Sequence, residues 1–133
     1  MTKVHIWADS RYPISRRRLR AAVARVVKSE GVTSAVAVSI AVVGNRKMKQ
    51  LNREYHGVDR TTDVLSFAYL DPLSQKGNYH FITPETEGMV LGDIIVAYPQ
   101  AVKQAALKDK LVDEEMDWLV EHGMQHLFGH HHE

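Results

Sequence analysis

"SAVAVSIAVV", residues Ser34–Val43, decides the architecture. Apart from two serines it is apolar throughout, and it carries no charge. A run of this length without polar alternation reads as a strand buried on both faces, and so as the centre of a sheet. Gly44-Asn45 breaks it. Toward the N-terminus, "SRRRLRAAVARVVKSEG" predicts a helix from Ser15 to about Glu30, with Ser15 as N-cap and Gly31 as stop signal. Leu19, Ala22, Val23, Val26 and Val27 fall at helical spacing. "KVHIWA" (Lys3–Ala8) alternates and reads as a first strand. Toward the C-terminus, "NRKMKQLNREYH" (Asn45–His56) sets Met48, Leu51 and Tyr55 on one helical face. "DVLSFAY" (Asp63–Tyr69) and "MVLGDIIVAY" (Met89–Tyr98) read as strands, the second interrupted by Gly92. Between them "LDPLSQKGNYHFITPETEG" reads as a long loop. Helical patterns follow at Pro99–Lys108 and Val112–Phe128. The order β-α-β-α-β-β-α-α, without repeats or linkers, predicts a single α+β domain over residues 1–133 with one mixed sheet.

Composition narrows the class. A chain of 133 residues with 44% hydrophobic and 25% charged residues suits one soluble globular domain. Cysteine is absent, which excludes disulfides and thiolate metal sites. No apolar run approaches the roughly 18 residues of a membrane span. "MTKVHIWADS" lacks the layout of a signal peptide, so a cytoplasmic location is expected, with no membrane partner. The formal charge of +1 conceals a division: residues 1–60 hold 13 Lys and Arg against 4 Asp and Glu, and residues 61–133 hold 4 against 12. Such a split fits an anionic partner such as nucleic acid, and equally fits two halves that neutralise each other in the fold. Arg16, Arg17 and Arg18 pose the same choice locally: a solvated basic face, or contacts to phosphate. Trp7 in a strand and Trp118 on the last helix are expected in the core rather than as base-stacking platforms.

Five of the eight histidines fall in the last twelve residues, "HGMQHLFGHHHE". His122 and His126 are four apart, which stacks both imidazoles on one face of a helix. Gly129 can end the helix and turn the chain back, and His132 follows. His-x-x-x-His-x-x-Gly-x-x-His gives three neutral nitrogen donors with one position open for water, the donor set of a catalytic rather than a structural zinc site. A purification tag would account for His130–His132 but not for His122 and His126. The metzincin proteases share this spacing, but their general-base glutamate follows the first histidine, where this chain has Gly123. Glu121 points about 100° away from His122 on a helix. Proteolysis thereby becomes a minor reading.

The closing stretch resembles the signature of the YbeY family of bacterial rRNA maturation factors, described as metal-dependent endoribonucleases: His-Gly-x-Leu-His-Leu-x-Gly-Tyr-Asp-His. The three ligand positions and both glycines match. A second motif of that family, Leu-Asn-x-x-Tyr-Arg-x-x-Asp-x-x-Thr-Asp-Val-Leu-Ser-Phe, is matched by "LNREYHGVDRTTDVLSF" (Leu51–Phe67), and a third by "LGDI" (Leu91–Ile94). The resemblance implies an α+β fold with a mixed sheet of about four strands packed by helices, and a metal site on the C-terminal helix and following turn. It implies one zinc-type ion on His122, His126 and His132; nickel or another divalent transition metal also accepts imidazoles. It implies cleavage of single-stranded RNA in maturation and quality control of ribosomal RNA, 16S especially, with the small ribosomal subunit as partner.

Departures from the pattern qualify the carry-over. The family arginine after the tyrosine is His56 here, which lacks a permanent charge and a bidentate fork. His56 is the candidate catalytic residue, as a proton donor, with Arg60 as the alternative source of the lost charge. Ser66, if it faces the cleft, is a candidate phosphate contact; packing of a strand is the competing reading, and Asp63 fits a cap at the strand start. The Tyr-Asp pair before the last ligand is His130-His131, which removes an aspartate that could orient a ligand. Hydrolysis of an RNA phosphodiester is the leading expectation. A ribosome-associated RNA-binding factor with a structural metal is the main rival, and a metalloprotease-like hydrolase of another substrate the weakest.

Overall fold

A computed structural model of the chain describes residues 2–69 and 89–130. Strand β2 (Val36–Val43) is buried along its whole length, as its uninterrupted apolar run requires. β1 (Thr2–Ala8) pairs with it in parallel on one side and β4 (Met89–Ala97) in parallel on the other. β3 (Val64–Ala68) lies antiparallel against β4, giving the order β1-β2-β4-β3. Parallel neighbours need a crossover. α1 (Arg16–Ser29) supplies it between β1 and β2, and α2 (Asn45–His56) begins the longer one between β2 and β4. α3 (Tyr98–Leu107) and α4 (Val112–Leu127) complete the α+β domain of four helices and a mixed four-stranded sheet.

Alternation along the strands divides the core. Val36, Val38, Ile40 and Val42 face α1 and α4, where Leu19, Val23, Met116 and Leu119 meet them. Ala41 and Val43 face the other way, toward Met48, Leu51 and Tyr55 of α2, together with Leu65 and Phe67 of β3. All five apolar positions expected on α1 are buried. Ser15 caps that helix, its side chain accepting from the Arg18 backbone N–H at 3.3 Å.

Two expectations need correction. Gly92 does not interrupt β4. The register shifts between Ala37 and Val38, whose partners are Val90 and Gly92, so Leu91 bulges while pairing continues. Gly92 holds φ at +145°, and a Cβ there would meet the Phe67 carbonyl oxygen at 2.0 Å. Glycine is required at this bulge because no L side chain fits. The tryptophans are not core residues either: Trp7 is 55% exposed and Trp118 44%. β1 is an edge strand on which Lys3, His5 and Trp7 all project from the open face, while Val4, Ile6 and Ala8 pack inward.

The charge division is partly resolved inside the fold. Arg18 donates to Asp117 at 2.7 Å and Arg25 to Glu121 at 2.6 Å, so α1 and α4 neutralise each other along their contact. Arg16 donates to the Ile6 carbonyl at 2.7 Å. α2 differs: among the described residues Arg46, Lys47 and Lys49 meet no carboxylate. No described helix is long and apolar enough to cross a membrane.

Candidate functional site

The C-terminal half of α4 carries the candidate site. Its N-terminal turn holds Asp113, Glu114 and Glu115, which suits the positive end of a helix. Further along, Gly123 lets the helix lie directly on β4: a Cβ there would sit 2.9 Å from Ile94 Cγ2. The smallest residue is therefore placed on the inner face of the turn that bears His122 and His126. The two imidazoles have centroids 4.7 Å apart and planes inclined by 52°. Both side chains are half-buried.

Neighbours hold each ring. Trp118, one turn before His122, stacks on it at 5.1 Å with 11° between the planes. Lys108 Nζ lies 4.4 Å from the Trp118 ring centroid on α4's outer side. Ser66 Oγ is 3.3 Å from His126 Nδ1. Ser66 reaches α4 because its neighbours Leu65 and Phe67 turn to the α2 face of β3. The helix then closes as a Schellman turn: Gly129 N–H donates to the His126 carbonyl and His130 N–H to that of Gln125, both at 2.9 Å, with Gly129 at φ +90°. That is the turn expected of Gly129. His130 Nε2 lies 2.6 Å from Glu30 Oε1, so its ring is committed to the end of α1 rather than to the pair.

Other candidates lie elsewhere. His132, the third expected ligand, falls outside the described residues. His56 ends α2 and stacks over Phe67 at 6.2 Å and 16°, on the face of β3 opposite to Ser66. Arg60 is exposed, and its carbonyl accepts from Asn52 Nδ2 at 2.9 Å. Among the described residues no three His, Asp or Glu side chains converge on one point. Asp63 does pin the strand start: one oxygen accepts from Val64 N–H at 2.7 Å and the other from Gln104 Nε2 at 3.0 Å.

Two adjacent, half-buried imidazoles, clasped by an indole and a hydroxyl, are suitable donors for a divalent transition ion. Sequence reasoning did not foresee the Ser66–His126 contact, although strand parity carried the signal. It also missed Trp118 as a wall of the site, although Trp118 and His122 stand four apart, the spacing of the histidines themselves. In "LGDI", buried Asp93 accepts a hydrogen bond from buried Ser39, a link across β2 and β4 that composition alone does not show.

A family model described as Endoribonuclease YbeY matches residues 7–133. The chain belongs to the Endoribonuclease YbeY family. It is 41% identical over 95 residues to Endoribonuclease YbeY of Heliobacterium modesticaldum, covering 71% of this chain and 57% of that protein. The YbeY of Dehalococcoides mccartyi strain 195 is 36% identical over 118 residues, covering 86% and 69%. That of Moorella thermoacetica is 41% identical over 106 residues, covering 79% and 65%. The chain thus spans between about half and three quarters of the lengths of such YbeY relatives. A solution structure of a Thermotoga maritima protein superposes with a TM-score of 0.56 at 24% identity, over all of this chain and 75% of that one, and shows the same fold. The family is one of endoribonucleases, hydrolases of RNA phosphodiester bonds.

Proposed function

We propose that this chain is a metal-dependent endoribonuclease that hydrolyses single-stranded RNA in the maturation of ribosomal RNA, acting in the cytoplasm and on the small ribosomal subunit. The observation that carries the reading is the pair on α4: His122 and His126 with ring centroids 4.7 Å apart, the second fixed by Ser66. Family membership supplies the class of substrate. His122 and His126 would hold one ion, zinc by donor preference, together with His132 from the following turn. A bound ion supplies Lewis acidity toward a phosphate oxygen and acidifies water. Ser66 holds the His126 ring in one orientation, the part that a carboxylate partner plays at many metal-bound imidazoles. Trp118 shields one face of His122 from water. His56 and Arg60 are the candidates for contacting the RNA backbone.

The test is bound metal per chain in tag-free protein, beside His126→Ala, with cleavage of a single-stranded RNA measured on both. About one zinc per chain and cleavage, each lost in the variant, is the expected result. Cleavage that survives the substitution belongs to a contaminant. A folded wild-type chain that binds RNA without metal or cleavage would replace the enzyme by an RNA-binding factor.

A further inference from the structure

We propose that the cavity between the open face of β1 and the first turn of α2 is a nucleotide subsite, holding one base and its phosphate from a flank of the single-stranded RNA. The inference rests on the reading of RNA as substrate and adds a place where the strand is gripped. The cavity measures about 800 Å³ and lies at the carboxyl ends of the parallel strands β1 and β2. Ligands of open α/β sheets favour that end. Its floor is apolar, built from Ala41, Leu51 and Ile95. It is on the α2 face, whereas Ser66 and His126 meet on the α4 face. The cavity therefore receives a flank and not the scissile phosphate.

Three features specify the occupant. Trp7, 55% exposed, stands at the wall as an unused aromatic plate. A base stacks on an exposed indole regardless of sequence. Arg46 and Lys47 line the opposite rim and meet no carboxylate among the described residues. Among the described residues the cavity's one carboxylate, Asp9, is already taken by Arg11, with contacts of 2.9 and 2.8 Å. An aromatic plate with two uncommitted cations matches a base linked to a phosphodiester. The same charges disfavour a second copy of the chain: a two-fold contact on this face would set Arg46 and Lys47 against themselves. Gly44 admits Tyr12 to the rim, since a Cβ there would meet Tyr12 Oη at 2.7 Å.

The experiment uses the full chain and a fluorescein-labelled single-stranded RNA of about 20 nucleotides, longer than a typical single-domain footprint. Fluorescence anisotropy compares wild type, Trp7→Ala, Trp7→Phe and Arg46→Gln/Lys47→Gln, each first shown to be folded by thermal melting. Trp7→Ala and the double variant are expected to weaken binding about 5- to 50-fold, and Trp7→Phe, which keeps a stacking face, by less than about 3-fold. RNA should quench a tryptophan emission that is missing in Trp7→Phe. Equal affinity in all four proteins, with no such quenching, overturns the subsite. If wild type still cleaves RNA through His126, that result leaves the enzyme reading standing. A wild type that neither binds nor cleaves RNA removes both. Self-association that Trp7→Ala abolishes, with RNA affinity unchanged, would overturn the proposal in favour of a protein interface.

Discussion

Gly92 and Gly123 both admit close approach, but to different atoms, and their substitutions should differ accordingly. At Gly92 a Cβ meets the backbone oxygen of Phe67 at 2.0 Å with φ at +145°. Neither obstacle can move without breaking the β3–β4 pairing. Gly92→Ala is expected to cost at least about 3 kcal/mol, or to prevent folding. At Gly123 the neighbour is an Ile94 methyl at 2.9 Å, the end of a side chain that can shift. Gly123→Ala should cost about 1–3 kcal/mol as overpacking, and should also loosen metal binding by lifting the turn that carries both histidines. Urea unfolding with zinc titration checks both; equal costs for the two would contradict this account. Asp9 offers a third test. Hydrogen bonds from the Arg11 side chain and backbone hold its carboxyl down to about 2 from the ordinary 3.8. A depressed folded value means that the stabilisation is present above about pH 3.8 and disappears as pH falls toward 2. In Arg11→Ala the residue-11 backbone N–H still donates to Asp9, so the carboxyl resonance should titrate above 2 but short of its ordinary value, and a midpoint still near 2 would show that the Arg11 side chain is not the cause.

At the scale of elements, α4 is anchored by a buried carboxylate. Glu115 is 0% exposed, and Lys108 and Lys110 reach it at 3.1 and 2.7 Å from the turn that joins α3 to α4. The lysines keep access to water but the glutamate does not, so the two halves of the cluster are unequal. Lys108→Ala/Lys110→Ala would strand a charge in the core, an expected loss of about 3–5 kcal/mol. Glu115→Gln should cost less, since the freed ammonium groups can turn to solvent, and denaturant curves of the two variants would expose the order. The same asymmetry between buried and open positions explains what could be read from sequence. β2 and α1 were legible because burial on both faces, or on one helical stripe, leaves a periodic trace that nothing else imitates. Gly92 was misread because a bulge and a break share one residue type, and only pairing partners separate them. Trp7 was misread by composition, although its parity with Lys3 and His5 set it on the open face. Parity also held the Ser66–His126 contact, but which helix covers that face of β3 is a tertiary fact. His122 and His126 were found through helical spacing, whereas the packing of Gly123 on Ile94 left no local signal.

Across the whole molecule the basic half divides its charge between two helices. Arg18 and Arg25 are spent on Asp117 and Glu121, and they fasten α1 to α4. Arg46, Lys47 and Lys49 extend from α2 without carboxylate partners among the described residues, on the side of the sheet that α2 covers. The sequence offered nucleic acid and internal neutralisation as alternatives; α1 follows the second, and α2 leaves its cations open to the first. Salt separates them experimentally. Each phosphate neutralised on a single strand contributes a slope of about −0.7 in log affinity against log salt concentration. Neutralising Arg46, Lys47 and Lys49 together should reduce the magnitude of that slope for single-stranded RNA by about 2, the sum of three such contacts. Arg18→Gln and Arg25→Gln should leave the slope unchanged and instead lower folding stability, by no more than about 1 kcal/mol each because both pairs are partly open to solvent. Binding isotherms over a series of salt concentrations, with melting curves on the same proteins, read both quantities. If the α1 variants flatten the slope while the α2 variants do not, RNA runs across α1, and the charge on α2 has some other use.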